Sequence, residues 1–152
     1  MTRTIFLTVT LPFFIHSVLG GYLNVQNSCS FAIFCQGAKG DGTDTGAATS
    51  VGAGSSWTSP LAANDDNIGA TLKCSLSSTL SSPYQLEMAV AAGRSWLDLS
   101  RVDGAPFEAF HRSAEWPGTS CPVLDCPAGS SACEWPTQID CATTADVWMY
   151  LC

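Results

Sequence analysis

The sequence predicts an all-β domain, a β-sandwich stabilised by disulfides. Short segments rich in β-branched or aromatic residues recur along the chain, and glycine, proline, asparagine or serine separates them. No window of helix length has a convincing helical periodicity with capping residues. The chain also has eight cysteines, an even number that is typical of a disulfide framework. These observations favour two packed layers of short strands.

The strands can be placed from the pattern of apolar and polar residues. In the first of them, Leu23 and Val25 alternate with Asn24 and Gln26. The predicted strands cover residues 22–26, 30–36, 55–59, 67–75, 83–90, 94–99 and 145–151. The intervening stretch from 37 to 56 is rich in small residues and poor in helix signals. The segment 121–141 is rich in proline, glycine, serine and cysteine, and we expect a loop held by its own disulfides.

The first residues of the chain have the layout of a secretory signal peptide. Arg3 precedes an apolar run over residues 5–15, and Val18-Leu19-Gly20 supplies small or neutral residues for a cleavage site. The alternative is an N-terminal membrane anchor, but the run is short for a span and is interrupted by proline and polar residues. We therefore expect a signal peptide at 1–20, a secreted, extracellular domain at 21–152 and no membrane span.

Charge narrows the possible partners. Six Lys and Arg residues stand against 13 Asp and Glu residues, which gives a formal net charge of −7. Nucleic acid and anionic membranes would repel such a chain, so neither is an expected partner.

The cysteines are expected to form four disulfides rather than a metal site. There is no C-x-x-C pair, and the only histidine after residue 20 is His111, so we predict no metal and no cofactor. The scarcity of histidine also disfavours a Ser-His-Asp or Cys-His hydrolase. Spacing alone leaves the pairing open. The cysteines are Cys29, Cys35, Cys74, Cys121, Cys126, Cys133, Cys141 and Cys152.

Three carboxylates are candidate ligand-binding residues. In the strand 83–90, Glu87 points away from the apolar face that contains Leu86. In the next strand, Asp98 is opposite in direction to Leu97, and Asp103 follows five residues later in a Val-Asp-Gly turn. All three can converge on one polar surface, although the two aspartates can also serve to cap turns.

Several motifs, in order, resemble those of thaumatin-like proteins. The match includes a strand, Asn-x-Cys and an aromatic strand over residues 23–31, and it continues at 39–41, 54–58 and 86–88. It is strongest at residues 96–104, which resemble the pattern aromatic-x-Asp-x-Ser-x-Val-Asp-Gly. In length the chain is similar to the small secreted fungal members of that family.

The resemblance implies a disulfide pairing and a site. The implied disulfides are Cys29–Cys152, Cys121–Cys141 and Cys126–Cys133. Cys35 and Cys74 then remain to form the fourth. The residues that match Glu87, Asp98 and Asp103 line an acidic cleft implicated in β-1,3-glucan binding in that family. The family cleft has an arginine where this chain has Thr71, with Lys73 nearby. The region that forms one cleft wall is also shortened here, so we expect a shallower, more open site.

Two tryptophans in the last third of the chain offer a second indication. Trp116 and Trp135 each precede a proline in loop-rich sequence. Exposed indoles can stack on sugar rings, but we favour the alternative that both pack beneath the disulfide loops.

Three functions are compatible with these features. The first is a secreted protein that binds cell-wall polysaccharide of the β-1,3-glucan type, with a defence, antifungal or wall-associated role. The second is a weak endo-β-1,3-glucanase that uses Glu87 with Asp98 or Asp103. The third is a non-enzymatic effector or antigen that binds a host protein. An open site holds sugars loosely and excludes water poorly, so we favour binding over catalysis.

Overall fold

The computed structural model describes residues 20–152. The predicted signal peptide falls almost wholly on residues 1–19, outside the described residues. Residues 20–152 form eleven strands and no helix, so no helix of this part could cross a membrane. The strands are β1 (Leu23–Asn27), β2 (Ile33–Lys39), β3 (Thr49–Val51), β4 (Ser56–Thr58), β5 (Ala70–Ser75), β6 (Tyr84–Ala91), β7 (Arg94–Ser100), β8 (Arg112–Glu115), β9 (Leu124–Cys126), β10 (Gln138–Cys141) and β11 (Val147–Leu151).

The strands form two sheets. The five-stranded sheet has the order β4-β1-β11-β8-β9, and the six-stranded sheet has the order β10-β7-β6-β5-β2-β3. β1 and β11 run parallel, with Val25 opposite Met149. All other pairs of named strands are antiparallel. The first and last described strands therefore lie side by side in the middle of one sheet.

Strict alternation of side chains builds the core. Leu86, Met88 and Val90 of β6 are buried, and Leu97 and Leu99 of β7 are fully buried beside them. Buried residues of both sheets belong to a single apolar cluster. The intervening side chains of β6 and β7, at alternate positions, point to the outer face of the six-stranded sheet. That outer face carries the candidate site.

The all-β prediction is confirmed, and the seven predicted strands correspond to β1, β2, β4, β5, β6, β7 and β11. The prediction that residues 121–141 form only a loop is wrong. The disulfides are present, but β9 and β10 lie in this segment and add to one edge of each sheet. β3 and β8 were also not predicted. These four strands have three or four residues each and little apolar alternation, so pairing with a neighbouring strand defines them.

All eight cysteines form disulfides, with the pairing that the resemblance implies. Cys29–Cys152 joins the residues just beyond the parallel strands β1 and β11. Cys35 and Cys74 are directly opposite each other in the β2–β5 ladder. The other two disulfides, Cys121–Cys141 and Cys126–Cys133, hold the segment that contains β9 and β10.

Candidate functional site

Glu87 and Asp98 are directly opposite each other in the β6–β7 ladder. The alternation on each strand buries leucines on the inner face and turns both carboxylates to the outer face. Directly opposite residues of an antiparallel pair have Cβ atoms about 5 Å apart. Two carboxyl groups are thus held side by side by the register of the sheet.

The pair belongs to a polar row that crosses four strands. Thr71 of β5 is opposite Glu87, and Gln138 of β10 is opposite Asp98. The row therefore reads Thr71, Glu87, Asp98, Gln138. The position that holds an arginine in the cleft of thaumatin-like proteins is a threonine that faces Glu87, so this row contains no cation to neutralise the pair.

Two shallow depressions, each of about 180 Å³, meet at Glu87 and Asp98, which line both of them. We call the combined feature the carboxyl groove. The first depression extends over the row and has Trp96 as its large aromatic side chain. The second extends past the end of β7 and is completed by Ser100, Val102 and Trp135. The groove thus has a carboxyl pair at its centre and an indole in each half.

Asp98 is buried although it lines the groove. The residue is 6 % exposed, and its Oδ1 atom has no hydrogen-bond partner among the described residues. Burial, the nearby charge of Glu87 and the hydrogen bond that a protonated Asp98 can donate to Glu87 raise the pKa of Asp98 to about 7. An orphaned buried acceptor is unfavourable, so this carboxyl group is poised to accept a hydrogen bond from a ligand.

Asp103 does not join the pair. It is exposed in the loop after β7, and its Oδ2 atom lies 3.8 Å from Nζ of Lys73 on β5. It lines neither half of the carboxyl groove. The structure therefore brings together two of the three predicted carboxylates and places the third at an ion pair on the margin of the same sheet.

The two tryptophans of the last third of the chain have different environments. Trp116 is buried, as expected for packing beneath the loops, whereas Trp135 is 58 % exposed. The sequence places both before a proline and gives no local signal that separates them. Trp135 lies in the turn between β9 and β10, and its exposure depends on contacts made by its neighbours.

A buried ion pair positions the residue before Trp135. Glu134 is 2 % exposed, and its Oε1 atom accepts hydrogen bonds from Nη2 of Arg112, at 2.7 Å, and from the hydroxyl of Tyr84, at 2.9 Å. The backbone N–H of Trp135 donates to the carbonyl of Leu99 on β7, at 2.7 Å. The backbone that carries the exposed indole is therefore tied to the core and to the strand of Asp98.

No motif in the sequence indicates Arg112 or Glu134 as part of the site. Arg112 is fully buried and also donates to backbone carbonyls of residues 107, 108 and 110. Nothing near either residue in the sequence indicates that the two charges meet, since 22 positions separate them.

The described residues contain no cluster of three or more histidine, cysteine, aspartate or glutamate side chains suited to a metal ion. His111 is exposed and has Asp125 of β9 as its partner, at 2.5 Å. This pair belongs to the five-stranded sheet and not to the carboxyl groove.

Comparisons with known proteins give a family and a fold. A family model described as Bys1, Blastomyces yeast-phase-specific protein, matches residues 17–152. No curated protein matches the chain. The crystal structure of the protein elicitor MoHrip2 from Magnaporthe oryzae matches with a TM-score of 0.75 and 24 % identity, over 87 % of this chain and 98 % of that one. The thaumatin-like xylanase inhibitor TLXI matches with a TM-score of 0.59 and 14 % identity, over 86 % and 98 %. The fold is therefore thaumatin-like, as the sequence motifs predict.

Proposed function

The chain belongs to the family of the Blastomyces yeast-phase-specific protein, Bys1, and we propose that it is an extracellular protein that binds a cell-wall polysaccharide of the β-1,3-glucan type through the carboxyl groove. The observation that carries the proposal is the buried, unpartnered Oδ1 atom of Asp98, which lies beside Glu87 at the centre of the groove.

An extracellular location is supported by the cysteines and by the predicted signal peptide. All eight cysteines are in disulfides, and such bonds persist in oxidising compartments. The apolar run at residues 5–15 is typical of a segment that directs export.

Hydrogen-bonding capacity supports a sugar as the ligand. Ionised carboxylates only accept hydrogen bonds, and neighbouring sugar hydroxyls supply the donors. With its raised pKa, Asp98 also carries a proton below about pH 7, so it can donate to a sugar oxygen under mildly acidic conditions. Gln138, at the end of the same row, adds an amide that both donates and accepts.

The arrangement suits binding better than hydrolysis. A glycosidase places its two carboxyl groups on either side of the bond to be cleaved. Glu87 and Asp98 are instead neighbours on one face of the sheet, in a shallow groove that excludes water poorly. Asp103, the other candidate for catalysis, is outside the groove and paired with Lys73. We therefore propose a binding protein and not an endo-β-1,3-glucanase.

Co-sedimentation with insoluble β-1,3-glucan tests the proposal. We expect the protein to sediment with the glucan and Glu87→Ala and Asp98→Asn to weaken binding about tenfold, as loss of a charged hydrogen-bonding partner predicts. Glu115→Gln is the matched control, because Glu115 lies on the outer face of the other sheet, opposite Trp148. Failure of the unmodified protein to bind, or full binding by both groove variants, would contradict the proposal.

Release of reducing sugar from a soluble β-1,3-glucan tests the distinction from an enzyme. We expect none between about pH 4 and pH 7, a range that reaches the raised pKa of Asp98. Release that disappears in Glu87→Ala would instead support the glucanase.

A protein ligand is the second candidate function. The structural neighbours are named a protein elicitor and a xylanase inhibitor. The groove also has an exposed apolar margin, with Val102 at 77 % and Trp135 at 58 % exposure, and tryptophan is enriched in the energetic centres of protein interfaces. An array of polysaccharides without any bound member, together with a host protein retained through Trp135 but not through Glu87, would favour this candidate.

A further inference from the structure

We infer that Trp135 is a specificity-determining residue of the carboxyl groove, a stacking platform for one pyranose ring whose hydroxyls are all equatorial. The inference rests on the proposed polysaccharide binding and adds to it a residue and a sugar configuration. The site that the sequence motifs indicate consists of carboxylates only, and Trp135 adds an aromatic residue to it.

The half of the groove next to Trp135 has two chemically different sides. Trp135 and Val102 are exposed and apolar, while Glu87, Asp98 and Ser100 supply oxygen atoms. A pyranose ring has the matching division, with C–H groups on its faces and hydroxyls around its rim. A ring that lies on the indole can therefore direct its rim hydroxyls to the carboxyl pair.

The size of this half favours a single ring. Its volume is about 180 Å³, below the range of about 300–1,000 Å³ that is usual for pockets enclosing drug-sized ligands. The ring would be one unit of a longer chain that continues over Trp96 in the other half of the groove.

The platform is rigidly held although the indole is exposed. The N–H of Trp135 is bonded to the carbonyl of Leu99, and Glu134 is anchored by Arg112 and Tyr84. The Cys126–Cys133 disulfide closes the turn just before them. Little conformational freedom remains to be lost at this backbone on binding, and such pre-organisation strengthens binding.

Stacking also predicts which sugars are accepted. Glucosyl and xylosyl units in the β configuration have equatorial ring hydroxyls and leave both faces apolar. An axial hydroxyl, as at C2 of a mannosyl unit or C4 of a galactosyl unit, blocks the face from which it projects, so only the opposite face can lie on the indole without burying an unpartnered hydroxyl. The groove should therefore prefer β-gluco-configured oligosaccharides.

Calorimetric titration with a soluble β-1,3-gluco-oligosaccharide and with a β-manno-oligosaccharide of equal length tests the inference. We expect Trp135→Ala to weaken binding of the gluco-oligosaccharide about tenfold and to reduce the preference for it over the manno-oligosaccharide. Trp148→Ala is the matched control, since Trp148 lies on the outer face of the five-stranded sheet beside Tyr150. It should bind like the unmodified protein.

Fluorescence gives a readout that a purely structural role would not produce. Stacking of a sugar on an exposed indole should shift the tryptophan emission to shorter wavelength. Trp135→Phe should remove the contribution of Trp135 and leave the smaller contribution of Trp96, while it retains part of the binding. Thermal unfolding verifies that the variants are folded.

The outcomes separate this inference from the proposed function. Binding by the unmodified protein that requires Glu87 but stays within twofold in Trp135→Ala would overturn the role of Trp135 and leave the proposed function standing. Equal weakening by Trp148→Ala would also overturn it. No glucan binding by the unmodified protein would overturn both.

Discussion

Glu134 and Trp135 are consecutive in the chain and have opposite environments, at 2 % and 58 % exposure. The Glu134 side chain extends into the interior to meet Arg112, and the Trp135 side chain extends into the groove. The buried residue thus fixes the position of the exposed one.

We predict that Glu134→Ala lowers the free energy of unfolding by about 3–5 kcal/mol. The substitution leaves the fully buried guanidinium of Arg112 without its counter-ion and removes the acceptor of the Tyr84 hydroxyl. Urea unfolding measures the effect. Arg94→Ala is the control, because its pair with Asp140 is exposed and should contribute less than about 1 kcal/mol. Equal effects of the two substitutions would contradict the anchoring role.

The free energy of unfolding should decrease as the pH rises from 4 to 7, because of Asp98. Its pKa in the folded state, about 7, exceeds the ordinary value of 3.8. Below about pH 4 the folded and the unfolded states both hold the Asp98 proton. As the pH rises above 4, the unfolded state releases this proton first and is thereby favoured, so the protein loses stability until about pH 7. A displacement of this size corresponds to a loss on the order of 4 kcal/mol.

Comparison with Asp98→Asn isolates this contribution. The variant lacks the titrating group and should keep more of its low-pH stability at pH 7. Urea unfolding of both proteins at pH 4 and pH 7.5 measures the difference, since other titrating groups act on both alike. Parallel pH profiles would show that Asp98 titrates normally.

The disulfides that close the longest and the shortest loops should contribute unequally to the free energy of unfolding. Cys29–Cys152 spans a sequence separation of 123, and Cys126–Cys133 spans 7. Loop-closure entropy predicts that Cys29→Ala with Cys152→Ala lowers the free energy of unfolding by about 5 kcal/mol, against about 2 kcal/mol for the paired alanine substitutions at Cys126 and Cys133. Denaturant unfolding of the two double variants checks the order, and the reverse order would contradict it.

Gly104, in the turn after β7, should not tolerate a side chain. A Cβ atom there would lie 2.2 Å from the carbonyl oxygen of Ser82, so the two loops would have to separate. We expect Gly104→Ala to lower the free energy of unfolding by about 2–3 kcal/mol. Gly52→Ala is the control, since its nearest neighbour, Oγ of Ser55, is 3.6 Å away. A shift of the unfolding midpoint no larger than that of the control would count against this close approach.

Alternation in the sequence was sufficient to predict the longer strands, whereas β4 alone was predicted among the strands of three or four residues. β6 and β7 have buried apolar residues at alternate positions, and their boundaries are close to those predicted. β8 is Arg-Ser-Ala-Glu, and its buried positions include a charged residue, Arg112. A charge is buried there because Glu134 lies in the same place in the fold, and local sequence carries no sign of that partner.

The residues of the candidate site that lie in long strands could be predicted from the sequence, and those that lie in loops could not be placed. Glu87 and Asp98 follow from the strand alternation and the resemblance, because both lie in long strands whose faces the sequence defines. Asp103 and Trp135 lie in loops, where Asp103 pairs with Lys73 and the backbone of Trp135 is hydrogen-bonded to Leu99. Such contacts between distant parts of the chain do not leave a local pattern.

The parallel pairing of β1 with β11 affects how the protein is made. Val25 can find its partner Met149 only after nearly the whole described chain has emerged from the ribosome. The five-stranded sheet then lacks its centre during most of translation, and one edge of β1 stays unpaired for that time. Pairing at such long range is intrinsically slow. A nascent chain stalled before residue 147 should therefore be sensitive to proteases and prone to aggregation, even when its other disulfides have formed.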